Sequence, residues 1–241
     1  MPPLPDAGDA KLQLVARLRE EIRRIERRPG RREGVVPCGV ATVDAVLPGG
    51  GFVRGALAEL AGGPASGKTA VALSLVAGLG EEELFAWIDG RGELYPPAVA
   101  ARGVDLGRLL MIRPPAVPGG ATAPGGEPAW RAALWASEAV LASGAFAAVV
   151  MDVPLPPAVP GADAVARRLQ AAAEKGGAVG LWLAGVRGGL RLPGAVRVEL
   201  ATTGGRVSAR RAPRDTEAWG AAAPSRRLAG GGMPTGGGRV A

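Results

Sequence analysis

From Val35 onward the apolar positions alternate between short unbroken runs and longer stretches spaced three and four residues apart. The runs predict strands over Ala56–Ala61, Glu83–Asp89, Leu109–Arg113, Phe146–Met151 and Ala178–Val186. Between them helices are predicted over Ala70–Leu79, Pro96–Arg102, Trp130–Ser143 and Ala162–Lys175. Alternation of this kind argues for an α/β fold, a mostly parallel twisted sheet with helices on both faces. The pattern closes on two strands, Ala195–Thr202 and Gly205–Arg210, joined by a turn at Thr203 and Gly204 into a C-terminal β-hairpin.

The flanks read differently. Leu14, Leu18, Ile22 and Ile25 recur at helical spacing among charged residues, so Lys11–Arg28 is predicted as an amphipathic helix stopped by Pro29 and Gly30. Such a helix either packs on its own domain or docks as an arm on a neighbouring subunit. RRPGRRE follows as a basic linker, a solvated charge run or a contact for phosphates. Pro114–Pro128 is too rich in Pro and Gly for regular structure. After Ala212 the apolar period disappears into an Arg-bearing tail with two GGG tracts, expected to be disordered. Three regions result: a helix and linker over 1–34, a core over 35–212 and a basic tail over 213–241.

Composition narrows the chemistry. The 241 residues contain no histidine and one cysteine, Cys38. That excludes Ser-His-Asp and Cys-His catalysis, His-ligated metals and an internal disulfide framework, and it suits a reducing compartment. MPPLPDAGDA lacks the basic and apolar blocks of a signal peptide, and no apolar run is long enough for a membrane span, so a cytoplasmic protein, with nucleoid association open, is expected. A net charge of +7 permits an acidic partner such as DNA, although the Arg bias and Ala/Gly richness also fit a GC-rich coding bias.

One motif carries the chemistry. Gly62, Gly63, Pro64, Ala65, Ser66, Gly67, Lys68 and Thr69 read GGPASGKT, a full match to the GxxxxGK[ST] phosphate-binding loop, set between a predicted strand and a predicted helix. In such a loop backbone N–H groups wrap the phosphates, Lys68 reaches the β/γ oxygens and the Thr69 hydroxyl serves Mg²⁺. Only Lys11, Lys68 and Lys175 are lysines, so a lysine here by chance is improbable. AAVVMD supplies a second acid, Asp152, at the end of an apolar strand expected adjacent to the loop, to hold the hydration shell of the Mg²⁺ ion. Asp89 and Glu93 are candidates to orient an attacking water, with Arg91 between them. Glu59 is read as structural.

PCGVATVDAVLPGGGFVRGALAELAGGPASGKT resembles the RecA core through its phosphate loop, and WIDGRGELYPPAVAARGVDLGRLLMIRPP is similar to the RecA segment that follows. The resemblance covers about Val36 to Ala201. It implies a RecA-type ATPase fold, with ATP at Gly62, Ser66, Gly67, Lys68 and Thr69, and Asp152 as the Walker B acid. Several positions depart from it. Arg91 stands where RecA carries its catalytic glutamate, Tyr95 and Ala98 stand where its adenine-facing Asp and Tyr fall, and Gly185 replaces the glutamine that senses the γ-phosphate. Val153–Gly161 and Arg187–Gly194 are short beside the two DNA-binding loops. RPP followed by ALWASEAVLASGAFAAVVMD is similar to the ImuA family, RecA-like accessory factors of damage-induced mutagenesis. That resemblance implies slow or absent ATP turnover and contacts with RecA or an ImuB-like polymerase-family partner, carried by Lys11–Arg28 or the tail. It leaves homo-oligomerisation open. A DNA-dependent recombinase, a KaiC-related ATPase and a non-catalytic nucleotide-binding scaffold are the alternatives.

Overall fold

The computed structural model describes residues 34–114, 128–185, 190, 192 and 195–212. The Lys11–Arg28 helix, the basic linker, the tail, nearly all of the Pro/Gly-rich loop and most of Arg187–Gly194 lie outside the described residues. The strands are β1 (Val35–Val36), β2 (Phe52–Val53), β3 (Leu57–Ala61), β4 (Leu84–Asp89), β5 (Leu109–Ile112), β6 (Phe146–Asp152), β7 (Val179–Ala184), β8 (Val196–Thr203) and β9 (Arg206–Arg211). The helices are α1 (Ala41–Asp44), α2 (Lys68–Ala77), α3 (Pro96–Ala100), α4 (Ala129–Ala142) and α5 (Ala162–Gly176).

Seven strands form one sheet in the order β5-β4-β6-β7-β3-β8-β9, every pairing parallel except β8 with β9. The α/β class, the parallel sheet and the terminal hairpin are thus as expected. Parallel strands covered on both faces need apolar side chains at successive positions, which is why FAAVVMD and VGLWLA are continuous rather than alternating. Their residues sort by parity. Phe85, Trp87, Val150, Leu181 and Leu183 point to one core with Val71, Leu75 and Val76 of α2. Ala86, Ile88, Val149, Met151 and Trp182 point to the other, against Leu134 and Leu141 of α4 and Leu169 of α5.

Helix α5 shows how little separates the layers. It buries Ala166, Leu169, Ala172 and Ala173 at three- and four-residue spacing, with Asp163 in its first turn and Lys175 in its last to complement the helix dipole. A Cβ placed on Gly176 would stand 1.8 Å from the Leu141 carbonyl oxygen, so α4 and α5 meet backbone to backbone at this end. The hairpin turn lies one residue later than expected. Thr203 remains in β8, and Gly204 and Gly205 make the turn because it requires positive φ at both positions, 57° and 75°.

Cys38 is 1% exposed, and burial pushes its thiol from the ordinary 9.0 up to about 12. Ellman's reagent at pH 8 is expected to leave the folded protein untouched and to titrate one thiol after unfolding in guanidinium. Rapid reaction of the folded chain would contradict this burial. Between pH 9 and 12 the unfolded thiol releases its proton and the folded one keeps it, so stability falls as pH rises, by at most about 1.4 kcal/mol per unit.

Candidate functional site

Strand β3 lies inside the sheet between β7 and β8 and delivers the chain at Ala61 into residues 62–67, after which α2 begins. The first loop residue is tied to the sheet, Gly62 N donating to Ala184 O at 3.3 Å. The glycines are sterically required. A Cβ on Gly62 would fall 2.4 Å from Ser66 Oγ and 2.7 Å from Leu200 O. One on Gly67, whose φ is +92°, would meet Val207 Cγ2 at 2.9 Å. Ala65 adopts a positive φ of 56°, unusual outside glycine, in the turn that leads into α2. Pro64, Ala65 and Thr69 are exposed, Ser66 is buried, and Gly63 and Lys68 lie between. The loop is therefore open to an anion while its backbone is fixed from behind.

Lys68 folds back over the loop. Its Nζ donates to Gly62 O, to Gly63 O at 3.1 Å and to Ser66 Oγ at 3.5 Å, so the ammonium sits at the mouth on the loop's own acceptors. Burial pushes its pKa down; the Asp152 carboxylate opposes that shift and the Arg91 guanidinium adds to it.

Asp152 ends β6, opposite Asp89 at the end of β4. Its strand is not the loop strand's neighbour, since β7 intervenes. Its carboxylate is already engaged: Arg91 Nε donates to Oδ1 at 2.8 Å. Burial nevertheless raises the Asp152 pKa, against the lowering effect of Arg91 and with a smaller push from Glu93 and Asp89. As a ligand set for a divalent ion, Thr69 offers an exposed hydroxyl, but the carboxylate of Asp152 is engaged by Arg91, and an ion there would meet the guanidinium. The glycine cradle and Lys68 suit phosphate oxygens.

The two candidate water-orienting acids separate. Asp89 is buried and fully used: its carboxylate accepts Glu93 N at 3.0 Å, Leu94 N at 3.2 Å and Arg113 Nε at 2.8 Å. It closes the turn 90–94 and is not available to a water. Glu93 is exposed in that turn, close enough for its charge to act on Asp152. Glu59 is 6% exposed and paired with Arg197, the structural part expected of it. Tyr95 is 67% exposed, and Gly185 follows β7 at the surface without a side chain to offer. Sequence reasoning missed Arg113, the positioning partner of Asp89, and Val207 and Thr202, which wall the loop from β9 and β8. Only the strand-ending position of Arg113 in LLMIR signalled a role.

An interior parallel strand feeding a glycine loop into a helix, with an acid ending a strand two places away, defines a phosphate-loop protein of the α/β class. The RecA N-terminal domain family matches residues 19–154, more than half of the chain, and the chain belongs to that family. It is 41% identical over 80 residues to Protein RecA of Picosynechococcus sp., a match covering 33% of this chain and 23% of that protein. To Protein RecA of Salinispora tropica it is 37% identical over 94 residues, 39% of this chain and 27% of the relative. The corresponding values for Protein RecA of Lactococcus lactis subsp. cremoris are 34% over 94 residues, 39% and 24%. The matches thus span about a quarter of each relative's length. Among the described residues no helix is long and apolar enough to cross a membrane.

Proposed function

We propose that the chain binds ATP at residues 62–69 and acts as an ImuA-like accessory factor in DNA repair and damage-induced mutagenesis, contacting RecA or an ImuB-like polymerase-family partner according to nucleotide state. Membership of the RecA N-terminal domain family supports the nucleotide, and so does the fit of the loop to phosphates. The observation that carries the accessory role is Arg91. A cation bonded to Asp152 stands where the RecA resemblance expects a water-orienting glutamate, and Asp89, the nearest buried acid, is spent on the turn. Binding without efficient turnover suits a switch better than a motor.

The test sets this protein beside the RecA of the same organism in ATP hydrolysis with and without single-stranded DNA, and in strand exchange. Turnover is expected at least about a hundredfold below RecA, the usual contribution of a positioned base, with no strand exchange. DNA-stimulated hydrolysis at the RecA rate would replace this reading with that of a recombinase. Surface-capture binding to RecA and to an ImuB-like partner, with and without ATP, tests the partner half. Affinities that ignore ATP would remove the switch.

A further inference from the structure

Arg91 is held in place by a turn whose parts serve little else. The Asp89 side chain is wholly buried at 0%, and its bonds to Glu93 N, Leu94 N and Arg113 tie residues 90–94 into a fixed loop. Gly90 N donates to Asp152 O at 2.9 Å. A Cβ on Gly90 would come within 3.0 Å of that same oxygen and of Pro154 Cδ, so the turn lies directly against the chain leaving β6. The next residue therefore rises beside Asp152. Its Nε reaches Oδ1, and the other N–H groups of the guanidinium have no partner among the described residues. The Arg91 side chain is 41% exposed and that of Asp152 only 16%. The fork is pinned at one corner and open at the others.

The acid that would serve a divalent ion beside the phosphate loop has its Oδ1 engaged by a guanidinium carried on a fixed turn. A second cation would also have to sit against the guanidinium, at a repulsive distance in a partly desolvated site. An arginine fork can instead present paired donors to phosphate oxygens itself. Lys68 stands at the same edge of the sheet: β3 and β6 both run parallel to β7 and end level with it, Ala61 beside Ala184 and Met151 beside Trp182, and the charges of Asp152 and Arg91 act on the ammonium.

We propose that Arg91 takes the place of the divalent ion: fixed on Asp152, its guanidinium and the Lys68 ammonium together face the terminal phosphates of the nucleotide, so that binding gains little from Mg²⁺. This rests on the nucleotide reading above. The Asp89 turn and Arg113 then position the phosphate contact, and Asp152 anchors a side chain in place of a metal.

The test is a titration of N-methylanthraniloyl-ATP into the full chain, once in excess EDTA and once in excess Mg²⁺, with thermal melts of each variant confirming the fold. Wild-type affinity is expected to agree within about threefold between the two conditions. Arg91→Ala should lose about tenfold or more in EDTA and recover in Mg²⁺, because Asp152 is then free to serve the ion. Arg91→Lys, which keeps the charge but not the fork, should recover only part of the wild-type affinity in EDTA. A wild type that weakens about tenfold in EDTA would overturn the proposal, as would an Arg91→Ala that follows the wild type in both conditions. Mg²⁺-dependent binding of that kind leaves the nucleotide reading standing, whereas a wild type that binds in neither condition overturns both.

Discussion

Replacing Lys68 by alanine is expected to weaken ATP binding on the order of a hundredfold, roughly 3 kcal/mol, as measured by isothermal titration calorimetry. The magnitude follows from losing a charge-assisted contact at a site where burial already depresses the ammonium's pKa. The side chain rests on Gly63 O at 3.1 Å and on Gly62 O, acceptors that the phosphates of a nucleotide can replace with charged ones. Stability should therefore change little, a shift of no more than a few degrees in melting temperature. Lys68→Arg should not rescue binding. The loop backbone is walled by Leu200 O behind Gly62 and by Val207 beside Gly67, and a planar fork needs room that a compact ammonium does not. Unchanged affinity in Lys68→Ala would remove the phosphate-loop assignment.

Gly176→Ala is expected to destabilise the fold by about 3 kcal/mol or more, the upper range for overpacking. The obstacle is a carbonyl oxygen, Leu141 O, 1.8 Å from the added carbon, and backbone in the last turn of a helix cannot swing aside as a side-chain tip would. Relief requires α4 and α5 to part, which uncovers Leu134, Leu141 and Leu169 over the second face of the sheet. Lys175→Ala, one residue earlier and exposed, is the control and should stay within about 0.5 kcal/mol. Urea melts of both variants decide the point. Equal midpoints would show that the helices do not approach as described.

Much of this architecture was legible along the chain because burial on both faces forces unbroken apolar runs. The bounds of β4, β5, β6 and β7 accordingly fall within a residue or two of expectation. The two-residue strands β1 and β2 and the four-residue helix α1 escaped, since so short a stretch holds barely one period of its pattern. In the site the same division holds. The loop from Gly62 to Thr69 is contiguous and its chemistry travels with its spelling. The pairing of Arg91 with Asp152 joins residues 61 apart and exists because β4 and β6 register Asp89 against Asp152. Nothing in ELFAWIDGR or AAVVMD taken alone announces it. Asp89 illustrates the converse: an acid at a strand end looked available for catalysis, and only its three bonds reveal a buried tie.

The position of β3 within the sheet has a consequence for how the protein is made. Both of its neighbours, β7 and β8, are synthesised long after it; Leu200 O, behind Gly62, comes with β8, and Val207, beside Gly67, follows in β9. A nascent chain emerging from the ribosome carries the complete phosphate-loop spelling well before it carries the walls that give that loop its shape. On the proposed reading, nucleotide is then a ligand of the finished sheet rather than a guide to its assembly.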